Sequence, residues 1–216
     1  MQLGKTLSLG AKDIFSAEVI GFVLKVGLGS IAIWVGILYA YWGELLGIVS
    51  SYLGFIPWEW LKTTGSAIAT LLVGYMLIII TISILTSLYS EPLLKSLAKK
   101  HYGIEAMGSP NPITSMIINI KASLVFMLLF MLLLALLFVP ILGQIVMLYL
   151  WSILLRNPTI YDVGTLFISD KDKLKNKSKR ARVLAMIASG FNYIPVLNIF
   201  APIYAQILFL HHILND

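Results

Sequence analysis

Cysteine is absent from the 216-residue chain, which excludes disulfides, thiol redox chemistry, thiolate metal sites and cysteine nucleophiles together. Charge is scarce as well. Only 12% of the residues are Asp, Glu, Lys or Arg, where an ordinary soluble domain carries about 25%. With 59% hydrophobic residues and a mean hydropathy of +0.90, a globule of this length could not hide its apolar surface from water. A soluble protein is therefore excluded, and one membrane-embedded domain over residues 1–216 is expected. Enzyme signatures are missing too. There is no phosphate loop, no helix with two metal-binding histidines one turn apart and no nucleophile elbow, so neither catalysis nor a cofactor or metal is expected. His101 reads as isolated in a loop, and the adjacent His211 and His212 fall about 100° apart on a helix. The segment Met1 to Ser16 lacks the long apolar core and small-residue cleavage site of a removable signal peptide.

What the chain does contain is four long uncharged or nearly uncharged clusters, to be compared with the roughly 20 apolar residues a spanning helix needs. Residues 19–43 and 63–90 are each long enough to cross, and both are expected to be full transmembrane helices. Glu44 to Lys62, with Trp42, Tyr52, Trp58 and Trp60 in or beside it, reads as a link along the far interface, where aromatic rings with a polar edge settle. The third cluster, residues 122–155, is broken at Pro140 and Gly143 and is expected to form a tight hairpin whose arms barely span. The fourth, residues 183–210, reaches Pro195 after a dozen residues and is broken again at Pro202. It is expected to enter the bilayer and turn back, a course tolerable only where protein or water satisfies the turning backbone. The fold expected is thus all-α and integral to the membrane, with two long helices and two Pro-broken hairpins, at least one of them only partly penetrating. The turns Val139-Pro140-Ile141-Leu142-Gly143 and Ile194-Pro195-Val196-Leu197-Asn198 share a signature that is either a repeat or a coincidence. In each, proline removes a helical hydrogen bond, and Gly or Asn tolerates left-handed geometry.

The net charge of +6 is compatible with nucleic acid, but in a membrane protein excess Lys and Arg mark the cytoplasmic side and anionic headgroups. The partners expected are lipid and no nucleic acid. If two helices cross and each hairpin returns to the side it left, fourteen of the sixteen cations fall on the side that holds both termini, which is then cytoplasmic. Half of these fourteen lie in the run from Lys171 to Arg182. That run either contacts phospholipid or attracts anions.

Lys25 is the one cation inside the first membrane segment, and such charges suggest function by default. It either snorkels to the headgroups, pairs with Glu18 or holds an anion. Gln144, Asn192 and Asn198 flank the hairpin turns and either cap broken helix ends or replace an anion's water. Helix N-termini after Pro140 and Pro195 direct free N–H groups toward the turns, an anion-friendly arrangement. Gly29, Gly36 and Gly43 recur every seven residues and leave one side of the first helix smooth for close helix packing. Thr81, Ser83, Thr86, Ser87 and Ser90 either line a polar path or bond back to their own helix.

Phe138-Val139-Pro140-Ile141-Leu142-Gly143-Gln144, then Tyr161-Asp162, a basic stretch, and Tyr193-Ile194-Pro195-Val196-Leu197-Asn198-Ile199-Phe200-Ala201-Pro202 together resemble the CysZ sulfate-permease family, grouped with the etoposide-induced membrane proteins. Ser90-Glu91-Pro92-Leu93-Leu94 resembles that family's proline-containing junction after the second helix. The resemblance implies an inner-membrane transporter or channel with partly penetrating hairpins that assembles into homo-oligomers and passes a small anion, sulfate, into the cytoplasm. It also implies a Gly-aliphatic-Arg element that binds sulfate at the start of the first long helix. The corresponding stretch here, Ala17-Glu18-Val19-Ile20-Gly21-Phe22, has an acid and no arginine, whose guanidinium would grip the anion in two places. Two alternatives therefore stand beside sulfate: transport of a different substrate, and a noncatalytic membrane scaffold that recruits helices, lipids or a cytoplasmic partner.

Overall fold

A computed structural model describes residues 2–54, 57–133, 136, 139–194 and 197–215. Among these residues every regular element is helical. The α-helices are α1 (Gln2–Ile14), α2 (Ala17–Tyr52), α3 (Glu59–Tyr89), α4 (Glu91–Tyr102), α5 (Pro112–Leu132), α6 (Leu142–Phe167), α7 (Lys171–Lys177), α8 (Ala181–Ser189) and α9 (Ala201–Leu214). Among the described residues, four stretches are long and apolar enough to cross a membrane: Ala17–Tyr52, Lys62–Tyr89, Pro112–Phe130 and Leu197–Leu214. The protein is an all-α membrane protein.

Several boundaries differ from those expected. α2 runs past Gly43 to Tyr52, with a break in helical geometry at Tyr41, so most of the expected interfacial link is helix. Nothing between Gly43 and Tyr52 removes a backbone hydrogen bond, and the first proline comes at Pro57. Residues 91–121, between the second and third apolar clusters, are mostly helical as well. α4 ends on Gly103 in left-handed geometry (φ 64°), its N–H donating to the Lys99 carbonyl. α5 then begins at Asn111, whose side chain accepts from the Ile113 and Thr114 N–H groups, the usual way to satisfy orphan donors at a helix start. Both arms around Pro140 are therefore longer than residues 122–155 suggest. The short arm before Pro195 is α8, nine residues long, which rises about 14 Å against a hydrocarbon core of about 30 Å.

Left-handed geometry at the first turn falls on Ile141 (φ 67°, ψ −52°) rather than on Gly143, which lies inside α6. The Leu142 N–H donates to the Pro140 carbonyl at 2.7 Å, so Pro140, Ile141 and Leu142 form the strained γ-turn of positive φ. Pro195 lies outside the described residues. Pro202 occupies the first turn of α9, where its missing N–H leaves nothing unsatisfied.

Two compact units divide the chain: Met1–Val23 with Ser83–Asp216, and Leu24–Ile82. In the second, the Trp34 indole donates to the Thr81 hydroxyl at 2.8 Å, which itself donates to the Leu77 carbonyl, and a Cβ at Gly74 would meet Leu38. A Cβ at Gly29, Gly36 or Gly43 would meet nothing within 4 Å, so this smooth side of α2 packs against no described residue. The first unit is built around α9, buried at every position from Ala201 to His211. The stretch Leu197–Leu214, which ends in α9, is 72% buried inside the protein, against 22, 25 and 17% for the most apolar windows of the other three candidate spans. Its uniform apolarity thus reflects enclosure by protein, whereas that of the other three reflects outward, lipid-directed faces. α1 lies against α9, with Gly10 facing Tyr204 and Leu208. His101 closes the last turn of α4 instead of standing in a loop.

Candidate functional site

Asp162 lies on α6, one turn beyond Pro158, and is 1% exposed. Proline supplies no N–H for the carbonyl four residues earlier, that of Leu154, so the helix forgoes one of its regular hydrogen bonds just before a buried acid. Three other helices bring polar side chains to this point. Ser87 comes from the end of α3, Ser115 and Asn119 from successive turns of α5, and Gln206 from the middle of α9. Their own helices form for ordinary reasons of apolarity and capping.

The Ser115 hydroxyl donates to Asp162 Oδ1 at 2.6 Å, and the Ser87 hydroxyl donates to Oδ2. Gln206 Nε2 lies 3.4 Å from the same Oδ2. Asn119 donates to the Ser87 hydroxyl at 2.9 Å and to the Ser115 carbonyl at 3.0 Å. Ser87, Ser115, Asn119, Asp162 and Gln206 are all buried. Among the described residues, every donor that reaches the carboxylate is neutral. A buried acid without a paired cation is expensive, and neutral hydroxyl donors make it tolerable without cancelling its charge. Gln206 Oε1 is buried with no hydrogen-bond partner among the described residues. It borders a cavity of about 10 Å³ lined by Ser83, Ser87, Leu154, Pro158, Thr159 and Gln206, close to the room one water occupies. Carboxylate, hydroxyl and amide oxygens grouped in this way can take up a proton or a small cation. They are ill suited to hold a bare anion.

Of the residues singled out from the sequence, Ser87 alone is seen bonded to the carboxylate. Thr81 bonds to Trp34 and its own helix, as described. Lys25 is exposed on α2, and Glu18 is exposed near the start of that helix. Gln144 is exposed, and its backbone carbonyl accepts from the Tyr193 hydroxyl at 2.6 Å. Asn192 is half-buried, while Asn198, Gly143 and Pro202 are buried. Ser115, Asn119 and Gln206 carried no signal in one dimension, because Gln206 is a single polar residue in an apolar stretch, while Ser115 and Asn119 lie among other polar residues outside the four apolar clusters. The available hint was the rarity of such residues at membrane depth.

In an all-helical membrane protein, an acid enclosed between apolar helices is a candidate functional group. The family described as Sulfate transporter CysZ/Etoposide-induced protein 2.4 matches residues 6–202, and the chain belongs to that family. No curated protein and no solved structure matches the chain.

Proposed function

We propose that this protein carries a small inorganic anion of the sulfate class across the cell inner membrane, with both termini cytoplasmic and Asp162 as the group that takes up the accompanying proton. The observation that supports this most is the family match over residues 6–202, in a family described as a sulfate transporter. The enclosed Asp162 adds a reason for coupling. Moving a dianion inward against an interior-negative potential of about 100 mV costs about 5 kcal/mol, and co-transported protons remove that cost. A carboxylate held by neutral hydroxyls changes charge when it takes up a proton, without leaving a stranded cation behind. Gln144, Asn192 and Asn198 remain proposed contacts for the anion by replacing its water, and Lys25, which belongs to the other compact unit, is proposed separately to attract it by charge. The open face at Gly29, Gly36 and Gly43 suits a second copy of the chain.

Uptake of labelled sulfate, with selenate and phosphate as competitors, into proteoliposomes tests the proposal. The expected result is flux above empty vesicles that rises when an inward proton gradient is imposed. Absence of flux for every oxyanion would favour the scaffold, and flux indifferent to the gradient would remove Asp162 from the mechanism.

A further inference from the structure

A second buried polar group lies within the same unit, made by Asp13 at the end of α1, His101 in the last turn of α4 and His211 near the end of α9. His101 Nε2 lies 2.9 Å from Asp13 Oδ1, and His211 Nε2 lies 2.9 Å from Asp13 Oδ2. The ligating atoms of the three side chains all fall within 4.8 Å of one another. His211 is fully buried and Asp13 almost so. The Tyr102 hydroxyl stands 2.9 Å from His211 Nδ1.

We propose that Asp13, His101 and His211 bind a divalent transition-metal ion of the zinc class, which ties α1, α4 and α9 together. Two imidazole nitrogens and one carboxylate oxygen form a donor set that zinc accepts at about 2.0–2.2 Å from each atom. A triangle no wider than 4.8 Å admits such an ion with movements below about 1 Å, given those bond lengths. Imidazole selects against magnesium and calcium, which take oxygen ligands.

Tyr102 serves both states of the site, because a phenol hydroxyl donates or accepts. In the metal-free protein it donates to His211 Nδ1 while the Nε2 hydrogen points at Asp13. With the ion bound, Nδ1–H donates to the phenol oxygen and Nε2 turns its lone pair to the metal. A partner on the second ring nitrogen is the support that metal-bound histidines ordinarily have. Three protein ligands leave a fourth position for water.

The test uses the full chain purified in detergent, stripped with a chelator and loaded with zinc or cobalt alone. One zinc per chain by elemental analysis is expected, with cobalt giving the intense visible absorption of a four-coordinate ion. His101→Gln, at a partly exposed helix end, is expected to lower zinc affinity at least tenfold, and Tyr102→Phe about tenfold. Chelation should lower the melting temperature of the wild type and leave that of His101→Gln unchanged. The proposal is overturned if folded wild type binds no more zinc than the His101→Gln, His211→Gln double variant, or if cobalt keeps its octahedral spectrum. The wild-type stoichiometry and spectrum decide even where a variant fails to fold.

Discussion

Replacing Asp162 separates what its charge does from what its shape does. In Asp162→Asn the side chain keeps its size, and its remaining oxygen accepts from one of the two serines. The other serine meets an NH2 group, so its hydroxyl must turn away and accept. Ser87 and Ser115 stand 2.9 Å apart, which leaves each a second partner for the displaced hydrogen. The exchange converts two bonds to a charged acceptor, each contributing about 1.5–3 kcal/mol, into neutral bonds of about 0.5–1.5 kcal/mol. The substitution also relieves a buried charge of its desolvation, so the net loss of stability is expected to stay within about 2 kcal/mol. Asp162→Ala leaves a void in which one of the Ser87 and Ser115 hydroxyls donates to the other, while the remaining hydroxyl hydrogen and the Gln206 amide lose their acceptor. At about 1–3 kcal/mol for an unsatisfied buried group, it should fall about 2 kcal/mol or more below the asparagine variant. Stability is read from denaturant titration in micelles. In proteoliposomes, Asp162→Asn should retain flux down an anion gradient and lose its acceleration by an inward proton gradient. Wild-type proton dependence in Asp162→Asn would refute the proton-carrying role, and equal stability of the two variants would refute the network.

Three further outcomes are expected. Ile141→Gly should raise stability by about 1 kcal/mol, because a β-branched residue at φ 67° stores about 1–3 kcal/mol of strain, partly offset by the greater freedom of glycine when unfolded; an unchanged or lower melting temperature would contradict the strained turn. At Gly108 an added Cβ would meet the backbone carbonyl of Thr165, where Met107 and Gly108 donate to the Leu166 carbonyl. Gly108→Ala should therefore cost about 1–3 kcal/mol and speed hydrogen exchange at Met107, whereas slow exchange there would show that the loop had absorbed the methyl. Burial pushes the Glu91 carboxyl up, but hydrogen bonds from Lys95 and Ser109 and the charge of Lys95 outweigh it and hold the group below its ordinary value of 4.5. Its contribution is present above that value and lost as pH falls through the lowered one, and with both partners partly exposed it amounts to a few tenths of a kcal/mol. Melting temperature against pH should therefore show a shallower acid limb in Glu91→Gln, and superimposable limbs would remove the ion pair from the account.

Properties that depend on composition and on neighbours a few residues apart were legible in one dimension. Scarce charge and long apolar runs required an all-helical membrane protein, and Pro140 marked a turn because a missing N–H acts locally. Helix ends were less legible: α2 passes Gly43 because a helix continues until something removes its hydrogen bonds. Apolarity has two causes, facing lipid and facing protein, and only the three-dimensional structure assigns the enclosed α9 to the second. The same holds for both polar groups. Ser87, Ser115, Asp162 and Gln206 lie on four helices, and Asp13 and His211 are separated by 198 positions. No periodicity links residues whose proximity is created by helix packing, so chemistry at these points was decided by the tertiary structure alone.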